Sequence, residues 1–173
     1  FAASGTAALL PADSRNRQAA LAGLVSLFGL LVTGYFYPAI RSGEVVRYQL
    51  EWLPMLGVDF SLRMDGLVWL FVMLVLFIGL LVTLYARYYM SPEDSVPRFF
   101  AFLLAFMGSM LGVVLSGNLI QLVVFWELTS VTSFLLIGYW HHRADARRGA
   151  RMAFTVTAAG GLCLLSGVLM LGH

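Results

Sequence analysis

The 173-residue chain contains no lysine, a single cysteine and few charges of any kind. Charged residues make up 12% of it, against about 25% in an ordinary soluble domain, which excludes a soluble globular class. The eleven basic residues are all arginine, and a net charge of +2 is too small to indicate a nucleic-acid partner. One cysteine, Cys163, inside an apolar run excludes a disulfide framework and a cysteine metal cluster, and reads as small apolar filler. Metal-ligand spacings, a nucleophile elbow and a phosphate-binding glycine loop are all missing, since stretches such as SGNLIQ follow no strand. No cofactor is therefore expected, neither nicotinamide, flavin nor iron–sulfur. The chain opens on Phe1 without an initiating methionine or a basic n-region, and FAASGTAALL is too short to span. It reads as the tail of a helix that starts upstream, and GVLMLGH as a helix close to its end, so a piece of a longer polytopic protein is expected.

What is present is apolar length: 60% of the residues are hydrophobic. About 20 apolar residues cross a bilayer core as a helix. Ala19 to Phe36, Gly66 to Ala86, Phe99 to Ser116 and Asn118 to Trp140 meet that length, and Ala150 to Leu171 does so despite its glycines and Arg151. With the 1–10 tail, the expected fold is an all-α polytopic membrane protein of five complete spans and part of a sixth, in one transmembrane domain. The short Ser116-Gly117-Asn118 link makes the fourth and fifth of these six elements antiparallel neighbours. Loops alternate sides. Pro11–Gln18, Arg87–Arg98 and His141–Arg151 carry eight arginines, whereas the 37–65 loop and the Gly117 turn carry three, which places the first set in the cytoplasm. Phe1 then faces inward from a helix descending from outside. In the outer loop, EVVRYQLEWL alternates in part and precedes Pro54 and Gly57, as in a short hairpin lying on the outer surface. Asp65 before Gly66 is a helix N-cap, with Arg63 pairing with it or with Asp59. Tyr85, Tyr88 and Tyr89 form an interfacial belt.

Glu127 is the only acidic or basic residue between Asn118 and Trp140. At about 1.5 Å per residue it lies roughly 13 Å below Asn118, near the bilayer midplane. A charged, unpaired acid at that depth costs about 2.5 kcal/mol or more. At about 100° per residue it shares a face with Ile120, Val123, Val124, Ser130, Val131 and Phe134, while Gln121, Thr129, Thr132 and Ser133 point mostly the other way. Burial favours the neutral form of a carboxyl and a nearby cation the charged form, so an acid held between the two can load and release protons. The alternative is a permanently protonated glutamate or one serving as packing glue between helices, worth about 0.6 kcal/mol. No lysine in this chain can pair with it, leaving an arginine at a helix end or a group outside residues 1–173. Ser130 on the same face, and His141 and His142 at the inner end, are candidate accessory relay groups. The histidines sit beside Arg143, Arg147, Arg148 and Arg151 and read first as part of an orientation signal. The threonine and serine seam reads as packing more than as a water-wire lining, and Gly160, Gly161 and Gly167 as sites of close helix approach.

FWELTSVTSFLLIGYW, Phe125 to Trp140, closely resembles the fifth-helix signature of the antiporter subunits shared by Mrp-type monovalent cation/proton antiporters and respiratory complex I. RFFAFLLAFMGSMLGVVLSGNLI (Arg98 to Ile120) resembles the stretch before it, and RMDGLVWLF (Arg63 to Phe71) the start of the third helix. The Leu128-Thr129-Ser130 form is most similar to the large, A-type component of Mrp (Mnh, Pha) antiporters, where complex I relatives usually carry glycine-rich residues after the acid. The resemblance implies the end of helix one and helices two to six of a protein of about fourteen or more. It implies that Glu127 takes part in proton translocation and pairs with a lysine on a seventh helix. It further implies a bacterial cytoplasmic membrane, other subunits of a hetero-oligomeric antiporter as partners, protons and Na⁺ or K⁺ as cargo, and a transporter in place of an enzyme. The other functional class is the proton-pumping arm of complex I or of a membrane-bound hydrogenase. A purely structural scaffold is a third reading, which the buried acid argues against.

Overall fold

The computed structural model describes residues 1–9, 15–53, 58–90 and 96–171. Their order is α1 (Ala2–Leu9), α2 (Arg15–Tyr35), α3 (Tyr37–Arg41), β1 (Val46–Leu53), β2 (Val58–Met64), α4 (Gly66–Tyr89), α5 (Val96–Leu115), α6 (Leu119–Ile137) and α7 (Ala144–Leu171). Among the described residues five helices, α2 and α4 to α7, are long and apolar enough to cross a membrane. The protein is an α-helical, multi-pass membrane protein. The outer turn assigned to Pro54 and Gly57 lies outside the described residues, as do parts of the Pro11–Gln18 and Arg87–Arg98 loops.

Helix ends depart from the expected spans in both directions. α2 begins at Arg15 and α7 at Ala144, so Arg17, Arg147, Arg148 and Arg151 sit on helical turns and not in loops. A helix satisfies its own backbone, and extending it into the interface costs nothing there. α6 stops at Ile137 and not at Trp140: Gly138 caps it by donating its N–H to the Phe134 carbonyl at 2.9 Å.

α5 is the hub of the packing, touching α1, α2, α4 and α6. Phe100, Leu103, Leu104 and Met107 of α5 are buried there with Val72 and Leu76 of α4 and Ala22 of α2. Several hydroxyls inside this bundle are bonded within their own helices, as a medium without water favours. Ser26, Thr33, Thr83 and Ser109 each donate to the carbonyl four residues back, at 2.8–2.9 Å. The Trp69 indole crosses from α4 to the Thr33 carbonyl at 2.8 Å.

The outer loop folds as the expected antiparallel hairpin, pairing Val46 with Met64 through Glu51 with Asp59. Asp65 caps α4 by accepting from the Val68 N–H at 3.0 Å, and Arg63 chooses Asp65, at 3.2 Å. Strand β2 is also riveted to the α5–α6 turn. Leu62 bridges Ser116, and the Gly117 N–H donates to the Ser61 carbonyl at 2.8 Å. Any Cβ at Gly117 would press on the Ser61 side chain and carbonyl, so this approach requires glycine. Asn118 caps α6 through its Oδ1, which accepts from the Gln121 N–H at 2.7 Å, while its Nδ2 donates to the Asp59 carbonyl at 2.6 Å. Gln121, fully buried, accepts the Ser61 N–H on its Oε1 at 2.8 Å.

Candidate functional site

α6 runs between α5 and α7, and its two sides differ chemically. Toward α5, the Phe125 ring lies on Gly112. The Thr132 hydroxyl donates to the Leu128 carbonyl at 2.7 Å and that of Thr129 to Trp126 at 2.6 Å. These two hydroxyls donate within their own helix, as packing groups do.

Glu127 faces α7. It is the ninth of the nineteen residues of α6, about midway along a helix of roughly 28 Å. The α6–α7 pair is antiparallel with a steady register. Gly138 stands against Ala150, Phe134 against the Phe154 ring at 5.5 Å, and Glu127 against Gly161. A Cβ at residue 161 would coincide with the Glu127 carboxyl, so only glycine leaves the space the acid occupies. The carboxyl is thereby turned into the helix interface. Its Oε1 is buried and has no hydrogen-bond partner. The salt bridge seen among the described residues is Arg63–Asp65, at the start of α4, and no arginine within them pairs with Glu127. A buried carboxylate oxygen without a partner costs on the order of 1–3 kcal/mol, more if charged. That energy is recovered when a proton or a cation arrives.

The other candidate residues are placed apart. Ser130, one turn on, is buried and shares the face, but its hydroxyl donates to the Trp126 carbonyl at 3.3 Å. His141 and His142 are exposed, beyond the end of α6, with their rings edge to face at 6.0 Å. They are fourteen and fifteen residues past Glu127, which itself lies ten residues, about 15 Å, before the end of α6 at Ile137, and the structure does not bring them to it. His141 instead lines a cavity of about 550 Å³ with Arg98, Arg147 and Arg151. The Phe134–Phe154 pair stands between that cavity and Glu127. Sequence reasoning passes over Gly161 as the seat of the acid. The facing of Glu127 and Gly161 follows from the α6–α7 register, in which the residue numbers of facing pairs sum to the same value (138 with 150, 134 with 154, 127 with 161), and one local stretch of sequence does not show it.

Two family models match the chain. One, "NADH-Ubiquinone oxidoreductase (complex I), chain 5 N-terminus", covers residues 52–100, and the other, "NADH:quinone oxidoreductase/Mrp antiporter, TM", covers 116–173. The A/B component of a probable K(+)/H(+) antiporter of Rhizobium meliloti (strain 1021) is 59% identical over 172 residues, 99% of this chain and 17% of that protein. The A component of the Na(+)/H(+) antiporter of Bacillus subtilis (strain 168) is 49% identical over 151 residues, 85% of this chain and 19% of that protein. Among solved structures, a chain of the Mrp complex from Dietzia sp. DQ12-45-1b superposes with a TM-score of 0.78 at 32% identity, covering 95% of this chain and 18% of that one. A chain of the membrane-bound sulfane sulfur reductase, an archaeal respiratory membrane complex, gives 0.76 at 25% identity, covering 94% and 24%. The chain thus spans about a fifth of the length of the curated relatives it matches.

Proposed function

The chain belongs to the A-type branch of the Mrp antiporter family of membrane subunits, and from that premise we propose that it forms part of a multisubunit monovalent cation/proton antiporter, with Glu127 as its proton-carrying group. The observation that carries the role of Glu127 is its carboxyl at mid-helix, seated on Gly161, with a buried oxygen that no donor satisfies. A proton or a cation supplies the partner that the fold withholds from this oxygen. Ile120, Val124 and Val131 make an exposed strip beside the acid, and a further helix bearing a cation would meet Glu127 from there. This agrees with the lysine that the family resemblance implies. Ser130 is the candidate first step of a relay, whereas His141 and His142 act at the surface, where protons enter or leave the bulk.

The relatives are named as Na(+)/H(+) and K(+)/H(+) antiporter subunits, which supports Na⁺ or K⁺ as cargo, a bacterial inner membrane, and other antiporter subunits as partners. It also supports a transporter part, not an enzyme. The match to the complex I chain 5 model and the likeness to an archaeal respiratory complex favour one second reading, a proton-pumping subunit of a redox complex. The same helices would serve there, and neighbouring genes for small antiporter subunits or for iron–sulfur subunits separate the two.

The test is Glu127→Gln in the full-length protein, expressed with its complex and assayed in everted vesicles. Exchange of Na⁺ or K⁺ for protons is lost while the complex still assembles. Exchange at the wild-type rate would refute the role given to Glu127.

A further inference from the structure

Arg98, Arg147 and Arg151 converge on one cavity of about 550 Å³ between the ends of α5, α6 and α7, together with His141. Phe134 and Leu135 form its apolar wall, and among the described residues no acidic one lines it. The guanidinium of Arg98 is held over the rings of Phe102 and Tyr139, at 5.6 and 5.8 Å, and Arg147 donates to the His141 carbonyl at 3.1 Å. These contacts orient Arg98 and Arg147, and among the described residues no carboxylate pairs with either of them or with Arg151.

Their position on the helices is electrostatically adverse. Arg98 is in the first turn of α5, and Arg147 and Arg151 are in the first two turns of α7. The positive end of a helix dipole disfavours cations there and favours anions. A membrane-orientation signal needs only a count of positive charges in a loop. It does not need three arginines from two helix N-termini pointed into one pocket with an apolar wall.

We infer that this cavity is a binding site for a phosphate-bearing anion, supplied by an anionic phospholipid whose headgroup sits among the arginines and whose acyl chain follows Phe134 and Leu135. Arginine matches phosphate oxygens with paired donors, and basic pockets between spanning helices on the cytoplasmic side take such headgroups. The site is independent of the proton chemistry of Glu127, which lies beyond the Phe134–Phe154 pair.

The experiment uses the full-length protein in neutral detergent and follows its thermal unfolding midpoint and its lipid adducts by native mass spectrometry. Phosphatidylglycerol, phosphatidylcholine and inorganic phosphate are added in separate arms at matched ionic strength. Phosphatidylglycerol raises the midpoint and is retained as an adduct, and phosphatidylcholine does neither. Stabilisation by inorganic phosphate alone keeps the phosphate site but overturns its assignment to a lipid. Arg147→Gln/Arg151→Gln weakens the apparent affinity for phosphatidylglycerol by about fivefold per arginine, near twenty-five-fold together. Arg143→Gln/Arg148→Gln removes the same charge from exposed residues outside the cavity and changes the affinity less than about twofold. Leu135→Trp fills the cavity with charge and orientation untouched, and abolishes the adduct. Equal losses in the two arginine pairs would show diffuse attraction and overturn the site. So would undiminished binding in Leu135→Trp, or binding of neither anion by the wild type.

Discussion

The two polar centres of α6 are tied to their neighbours to different degrees. At its outer end, Asn118 and Gln121 meet β2 with bonds of 2.6–2.8 Å to Asp59 and Ser61, and they join two elements nearly sixty residues apart. At its middle, Glu127 stands against Gly161 of α7, and its Oε1 finds no donor. Both centres are costly to bury, and both keep an unpartnered atom, since the Gln121 Nε2 is buried without an acceptor. The first still recovers much of its cost through bonds to β2, as structural polar groups do. The second makes no such bond across to another element. The difference teaches that an unpartnered atom alone does not separate scaffold from site in this bundle: charge and depth distinguish the Glu127 carboxyl from the Gln121 amide.

The sharpest way to break the contrast is to take away the seat of the acid. Gly161→Ala places a methyl group where the Glu127 carboxyl lies, and cation/proton exchange in everted vesicles falls tenfold or more with assembly retained. Gly160→Ala, one residue away with open space for its methyl, leaves exchange unchanged. Loss in both would mean that α7 tolerates no side chain on this stretch, and the specific seat would be lost as an explanation.

Next in size is Gln121→Leu, which strips the Ser61 N–H of its acceptor inside a buried junction. It lowers the stability of the purified protein by about 1–3 kcal/mol, read from denaturant unfolding, and speeds proteolysis of the 42–64 segment from outside. Asn118→Ala removes the α6 cap and the bond to Asp59, and costs about 1–2 kcal/mol in the same assay. Smallest is Thr132→Val. Its hydroxyl serves only its own helix, so stability changes by less than about 0.6 kcal/mol and exchange is unaffected. A large loss of exchange in Thr132→Val would return the seam to the proton path.

Much of this is legible in the residues themselves. Long apolar runs announce spanning helices because no other element survives in lipid without a closed barrel. Asp65 and Asn118 are local caps, and the alternation around Tyr48 is a local strand signal, so both can be read in place. The Ser61–Gln121 bond cannot, because it joins positions sixty apart and depends on how the hairpin lies on the bundle. Gln121 therefore reads as one more polar residue in a seam. Gly161 stands out in the sequence only as a small residue, since its meaning rests on the α6–α7 register. The end of α6 at Ile137 is hidden by continuing apolar sequence through Tyr139 and Trp140, where Gly138 stops the helix by capping it. The histidines suggest relay groups by their place in the chain. The helix end carries them out to the surface, away from the acid.

The rivet between β2 and the α5–α6 turn also sets a schedule for biogenesis. Helices enter a membrane in the order in which they are made, and Ser61 emerges sixty residues before Gln121. At about 5–20 residues per second, that interval is roughly 3–12 s. Through it the Ser61 N–H has no acceptor from α6, because Gln121 has yet to be made. The bond between hairpin and bundle therefore belongs to the late part of the chain's synthesis, and the N-terminal end of α6 must lie beside β2 for it to form.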